Sequence, residues 1–389
     1  MDYIEAEEFR GYDPYDALNS PILRALAFQK KFLRIAFIQF LKRLPINPRP
    51  FLFIKKGYNP KGLGLFLWGY AKLYAIERDP RYLEQIDKLL GLLDGCKTSI
   101  TLDSGLRRND ERGGGNDRDG HGWGYNFDWQ SRAFFVPRGT PTVVNSAFIG
   151  HALLDTWHMT GKRRALDMAL PIGEFILKGL NREEDGDGLC FSYTPLDRYF
   201  VHNANLLGAS LLIRLCGVAG DGRMKEAALG ALNWSMGRQQ PDGAWFYAEK
   251  DGAHWIDSFH TGFNLQAVRY FMDAGVGDRW REGYERGVGF YRDRFFLEDG
   301  TPRYYHDRTY PIDIHSPAQA VVFFSGMGEP YAEMTRRILD WMIRHMQDPQ
   351  GYFYFQKHRR YTNRIPYMRW GQAWAFHAMT SYLHHAPKE

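Results

Sequence analysis

Three histidines recur near the starts of apolar helical stretches: His202, His260 and His315, separated by 58 and 55 residues on subtraction. Each has an acid close upstream, at Asp197, Asp257 and Asp313. A helix start favours negative charge and disfavours imidazolium. The acids there are expected to stay ionised unless deeply buried, and the histidines to stay neutral and able to accept a proton. Asp128 is a further candidate acid. Arg369 or Arg132 offers a two-point grip for a carboxylate. Trp123, Trp129, Trp245, Trp255 and Trp370 offer stacking faces, and Asn145 a hydrogen-bonding amide. Together these residue types point to proton chemistry on a sugar. The reaction is of hydrolase, lyase or epimerase type; a hydrolase needs an acid and a base flanking one bond. Equally, a histidine or aspartate at a helix start serves as a cap or a satisfied buried polar group.

These residues sit in a repeat. Glycine turns followed by aromatics occur at Gly122, Gly188, Gly243, Gly300 and Gly351. Several follow a polar approach such as "EEDGDG", "QQPDG" or "LEDG". Each leads into a helix that is apolar nearly all round, the mark of a buried helix. More polar helices with apolar residues at three and four spacing lie between them. Counting "ALAFQKKFLRIAFIQFLKRL" with "PKGLGLFLWGYAKLYAI" as the first pair gives six helical hairpins. The expected fold is one all-α domain over 1–389, an (α/α)6 toroid with its cleft at the inner-helix starts. An open solenoid of helix pairs is the alternative. Residues 98–121, rich in Gly, Asp, Asn and Arg, read as a mobile surface insertion.

Bulk properties narrow the class. The chain has 389 residues, 44% hydrophobic and 16% aromatic, enough for a sizeable core. A net charge of +5 from 50 basic and 45 acidic residues is too diffuse for a nucleic-acid stripe. Cys96, Cys190 and Cys216 are odd in number and far apart, so neither a disulfide framework nor a metal knuckle follows. A reducing, cytoplasmic location is expected, with no signal core at the N-terminus. Residues 21–45 combine an apolar face with Lys30, Lys31, Arg34, Lys42 and Arg43. That pattern fits contact with an acidic membrane surface as well as packing on the protein's own core.

Two motifs carry a resemblance. "RWGQAWAFHAM" from Arg369 resembles the Arg-Gly-Gln-Ala-Trp-Ala helix of six-hairpin glycosidases, particularly the unsaturated glucuronyl hydrolases, with Trp370 inserted between Arg369 and Gly371. "QQPDGAW" resembles the Gln-x-x-Asp-Gly-x-Trp repeat of squalene-hopene cyclases, matching at Gln239, Asp242, Gly243 and Trp245. The acidic Asp-x-Asp-Asp run of those cyclases is absent. From "GYDPYDALNSP" through "GWGYNFDWQSR" to the end, the chain is similar to bacterial toroid proteins of exopolysaccharide and lipopolysaccharide clusters. That resemblance implies work on surface glycans, with a glycan or lipid-linked sugar as partner. An isoprenoid-binding tunnel and a non-catalytic glycan binder are the competing readings. Three converging histidines also raise a zinc site, but no local ligand pair supports one, so no metal and no cofactor are expected. "NREEDGDG" resembles a calcium loop in composition only and reads as a polar turn.

Overall fold

Helix starts are written into the sequence as Ser, Asn or Asp followed by proline. Ser20, Asn59 and Asp79 each accept a backbone N–H from the first turn, with Pro21, Pro60 and Pro80 at the first helical position. Gly161 and Gly220 close two helices in the left-handed conformation. The computed structural model describes residues 1–28, 30–100, 120–132 and 134–386. The helices among them are α1 (Asp2–Ala6), α2 (Pro21–Ala27), α3 (Lys31–Arg43), α4 (Pro60–Glu77), α5 (Pro80–Gly95), α6 (Val143–Thr160), α7 (Arg163–Ala169), α8 (Pro171–Glu174), α9 (His202–Ala219), α10 (Gly222–Met236), α11 (Ser258–Asp273), α12 (Arg281–Phe295), α13 (His315–Met327), α14 (Ala332–Met346) and α15 (Ala373–His385).

Six of these form a closed inner ring. α4 packs on α6, α6 on α9, α9 on α11, α11 on α13, α13 on α15, and α15 returns to α4. Residues 60–73 of α4 are all buried, which is why its sequence has no polar stripe. The amphipathic helices α5, α7, α10, α12 and α14 cover the ring from outside, each beside the inner helix that precedes it. The fold is the (α/α)6 toroid, and the ring is closed rather than an open solenoid. Outside α4 the N-terminal segment lies across: Glu5 accepts a hydrogen bond from Tyr70, and Phe9 packs on Phe66 and Tyr70.

The first hairpin differs from expectation. The amphipathic stretch 21–43 breaks at Phe28, which adopts a left-handed conformation, into α2 and α3. α3 packs on α2, on the 16–19 turn and on a short strand near the cleft, instead of serving as the outer partner of α4. Ala17, Leu18, Leu23, Ile38, Leu41 and Ile54 form a second small core there. A periodic apolar face records that a helix is covered, without recording by what.

Short strands accompany the turns. They are β1 (Thr98–Ile100), β2 (Gly120–Gly122), β3 (Trp129–Gln130), β4 (Phe135–Val136), β5 (Arg182–Asp185), β6 (Gly188–Phe191), β7 (Ile312–Asp313), β8 (Gln356–Lys357) and β9 (Thr362–Asn363). β1–β2, β3–β4 and β5–β6 pair antiparallel, and β8 lies between β7 and β9. Of the expected insertion, residues 98–100 and 120–121 belong to the β1–β2 ladder, and 101–119 lie outside the described residues.

The repeat has a backbone signature. Gly243, Gly300 and Gly351 all have φ between +86° and +94°. A Cβ at Gly243 would lie 2.5 Å from the backbone of Arg286 in α12, and one at Gly300 2.5 Å from the backbone of Arg337 in α14. Glycine is needed there twice over, for the conformation and for the close approach.

Candidate active site

Inner-helix starts converge on a cavity of about 250 Å³. Lys61 of α4, Val144 of α6, Asn203 of α9, Phe259, His260 and Phe263 of α11, and His315 of α13 line it, with Arg369 and Trp370 from the turn before α15. Apart from Asp257, the rest of the wall is aromatic: Tyr15, Tyr125, Phe127, Trp129, Tyr193, Tyr247, Trp255, Tyr304 and Tyr305. Convergent helix N-termini make the floor favourable for negative charge.

Asp257 is the N-cap of α11. Its Oδ1 accepts the backbone N–H of His260 at 3.1 Å, and its Oδ2 lies 2.6 Å from Nδ1 of the same histidine. With Nδ1–H donated to Asp257, Nε2 becomes the ring atom that accepts a proton. The His260 ring also rests against Tyr247 at 4.9 Å and Phe259 at 4.4 Å.

His315 is placed differently. Neither of its ring nitrogens has a hydrogen-bond partner among the described residues, although the side chain is buried and lines the cavity. Burial, helped by the positive charges of Lys61, Arg369 and His260, holds its pKa well below the usual 6.5. Phe259 stacks on it at 4.6 Å, so one phenyl ring separates the two imidazoles. Lys61 lies over the Phe148 ring at 4.1 Å. Burial and then the nearby Arg369 guanidinium push its ammonium well below the usual lysine range, against a smaller opposing pull from Asp13.

Asp257 is the one carboxylate in the described cavity lining. Asp313 lies behind the wall. It accepts from the Trp370 indole at 2.8 Å, from the Gln356 amide at 2.7 Å and from the backbone N–H of His315 at 3.0 Å. Burial raises its pKa against those three donors, the exception already attached to the expectation of an ionised acid. Asp313 positions Trp370 and the start of α13.

Arg369 reaches the cavity, but its fork is already occupied. Nε and Nη2 bind Asp13 at 2.6 and 2.8 Å, with Trp370 and Tyr125 against the guanidinium. A guanidinium this buried requires an internal carboxylate. It is therefore a fixed positive charge in the wall instead of a grip for a substrate acid. The stretch "RWGQAWA" begins with a wide turn over Met368–Gln372, in which the Gln372 N–H bonds the Tyr367 carbonyl five residues back.

Other candidates lie elsewhere. His202 gives its Nε2 to Glu249 at 2.7 Å and packs on Trp234, away from the central lining. Burial lowers its pKa, with Glu249 opposing. Since His202 turns away, the three histidines do not converge, and no group of three or more metal-ligating side chains is found among the described residues. Asp128 accepts the backbone N–H of Arg138 and borders a separate recess with Arg34 and Phe135. Trp123 is fully buried and donates to the Leu93 carbonyl. Trp245 donates to the Ser235 carbonyl and lies behind Trp255 and Tyr247. Asn145 is buried outside the lining, and Arg132 is exposed. Trp129, Trp255 and Trp370 do line the cavity.

Sequence reasoning passed over the tyrosines and Lys61. Tyr125, Tyr193, Tyr247, Tyr304 and Tyr305 each stand three to five residues after a repeat glycine. Lys61 is the charge at the head of a helix otherwise apolar for two turns. Both signals were present in the pattern.

No family model matches the chain, and no curated relative matches it. Solved structures share the fold. A cellobiose 2-epimerase from Bacillus thermoamylovorans superposes with a TM-score of 0.62 at 14% identity, covering 84% of this chain and 87% of that one. A GH76 α-mannanase from Bacteroides thetaiotaomicron gives a TM-score of 0.60 at 12% identity over 83% and 85%. An inactive variant of an α-1,6-mannanase from Salegentibacter, held with α-1,6-mannotetrose, gives 0.56 at 12% over 85% and 91%. These likenesses establish the toroid architecture.

Proposed function

We propose that the protein is a sugar-active enzyme that moves a proton at a carbon next to a carbonyl, as an epimerase or isomerase does. The observation that carries this reading is the composition of the cavity: two histidines and one carboxylate, the carboxylate engaged with His260. Glycoside hydrolysis by the usual route uses two carboxyl groups across the bond. Here Asp313 is walled off behind Trp370.

In the proposed step, Nε2 of His260 removes a proton from the carbon. The electron pair of the C–H bond moves into a C=C bond, and the carbonyl oxygen takes the negative charge. His315, neutral and with both ring nitrogens unpartnered, donates an N–H hydrogen bond to that oxygen. The His260 imidazolium, its proton exchanged with solvent, returns a proton to carbon, the carbonyl reforms, and both histidines end neutral. Arg369 and the inner-helix N-termini stabilise the enolate oxygen. Trp129, Trp255 and Trp370 supply faces for the sugar ring. The solved epimerases and mannanases that share this fold support a saccharide as ligand. A role in surface-polysaccharide metabolism is part of the proposal and rests on the sequence resemblance given above.

The test is incubation with reducing gluco- and manno-disaccharides in D₂O, followed by NMR and mass spectrometry. The expected result is an epimer or ketose product carrying one deuterium at the reacting carbon, absent with His260→Ala. Shorter sugars without carbon-bound deuterium would replace this reading with hydrolysis.

A further inference from the structure

The chain from Ala17 to Ile76 contains no Asp or Glu and eleven Lys or Arg. Subtracting those eleven from the 50 leaves the rest of the chain with 39 basic against 45 acidic residues. The protein's excess of positive charge therefore belongs to this one segment. Arg24, Lys30, Lys31, Arg43, Lys55 and Lys56 are exposed.

The same segment holds the most exposed large apolar side chains among the described residues. Phe51 is 83% exposed, Phe28 79%, Phe32 78%, Ile46 71%, Phe53 67% and Phe40 60%. Isolated exposed apolar residues are ordinary, but six aromatic or branched ones within 26 residues are a patch. They stand just after α2 (Phe28), on α3 (Phe32 and Phe40), in the loop that follows it (Ile46) and on the 48–54 turn (Phe51 and Phe53), and α2, α3 and that turn pack around one small core. The core fixes the segment, so these side chains are held outward.

We infer that α2, α3 and the 48–54 turn dock the protein on an anionic lipid bilayer. Phenylalanines would enter the acyl boundary, and the surrounding lysines and arginines would meet lipid phosphates. Charge decides between occupants: a second copy would bring a like-charged patch face to face, whereas an anionic bilayer complements it. No helix among the described residues is long and apolar enough to cross a membrane, so the contact is peripheral. The platform adjoins the cavity. Lys42 of α3 donates to the Tyr15 hydroxyl at 2.7 Å, and Tyr15 lines the cavity wall. This inference does not depend on the reaction proposed above.

The experiment is vesicle co-sedimentation of the full chain with phosphatidylglycerol/phosphatidylcholine vesicles and with phosphatidylcholine alone. Wild type is run beside Phe32→Ser/Phe51→Ser and Lys30→Glu/Lys31→Glu, all exposed positions, with thermal unfolding confirming that each variant is folded. Binding to the anionic vesicles that falls at least tenfold in both variants, and falls with added salt, is the expected result. No sedimentation of wild type, or sedimentation equal in all three proteins, would overturn it. So would a wild-type dimer in sedimentation velocity that the variants abolish without any vesicle binding, which would assign the patch to a second copy.

Discussion

The Asp257 carboxylate serves His260 twice, holding its backbone N–H with one oxygen and its ring Nδ1 with the other. Cap and orienting partner are thus one group. The imidazole is fixed by the same contact that starts helix α11.

This double role can be separated. Asn is as good an N-cap as Asp, so Asp257→Asn keeps the helix start. Its amide, however, presents a donor or a weaker acceptor to Nδ1. We expect unfolding within about 3 °C of wild type, while turnover falls by a factor on the order of 10² to 10⁴. Asp257→Ala should lose the same activity and a further stability of about 1 kcal/mol. Steady-state kinetics beside thermal unfolding checks both; an active Asp257→Asn would remove the dyad from the mechanism.

The buried His315 makes stability depend on pH. Its folded pKa is depressed, so below the unfolded value of 6.5 the unfolded chain binds a proton that the folded one refuses. Its contribution is complete above 6.5 and is lost as pH falls beneath it. Buried carboxyls such as Asp16, pushed up to about 6, act in the opposite direction, so the comparison must be made between proteins. Urea unfolding of wild type and His315→Gln at pH 7.5 and 5.5 should show wild type losing more stability on acidification than the variant does.

Arg369 and Asp13 form a buried pair at 3% and 5% side-chain exposure. Removing one partner leaves the other charge buried. Arg369→Ala should cost about 3–5 kcal/mol. The double change Arg369→Met/Asp13→Leu should recover much of that loss in urea unfolding. A double variant no more stable than Arg369→Ala would mean that packing around the guanidinium, rather than charge, is what the site needs.

Glycines at the repeat turns differ in what surrounds them. Gly300 has φ +86° and the Arg337 backbone at 2.5 Å from a would-be Cβ, while Gly186 has φ +59° and open space. Alanine at Gly186 should cost about 1–2 kcal/mol for the left-handed conformation alone. At Gly300 the crowding should add about 1–3 kcal/mol. Equal losses in the two variants would count against the close contact with α14.

The ring was legible because its evidence is local and repeated. Gly243, Gly300 and Gly351 recur before apolar stretches, and the structure gives all three the same backbone conformation. Period also placed His260 and His315 near the starts of inner helices, as the third residue of α11 and the first of α13. It misled at His202, where Glu249 captures the ring from 47 residues away. Arg369 finds Asp13 across 356 residues, a pairing no spacing rule contains. α3 carries the same apolar periodicity whether it covers α4 or a small core of its own, so its place was not readable. Lys61 and the tyrosines were readable, as a charge and a recurring offset, but tryptophan drew attention first.

The wide turn at Met368–Gln372 bears on how such a ring acquires new wall residues. Each residue added to a regular helix rotates everything after it by about 100°. That rotation would swing Trp374 and Phe376 out of the core they fill. The single wide turn holds one residue more than a regular helical turn, so a residue gained there need not shift the register of α15 below. Such a turn lets a wall position like Trp370 be gained or changed as a local edit, with the packing of the sixth inner helix left intact.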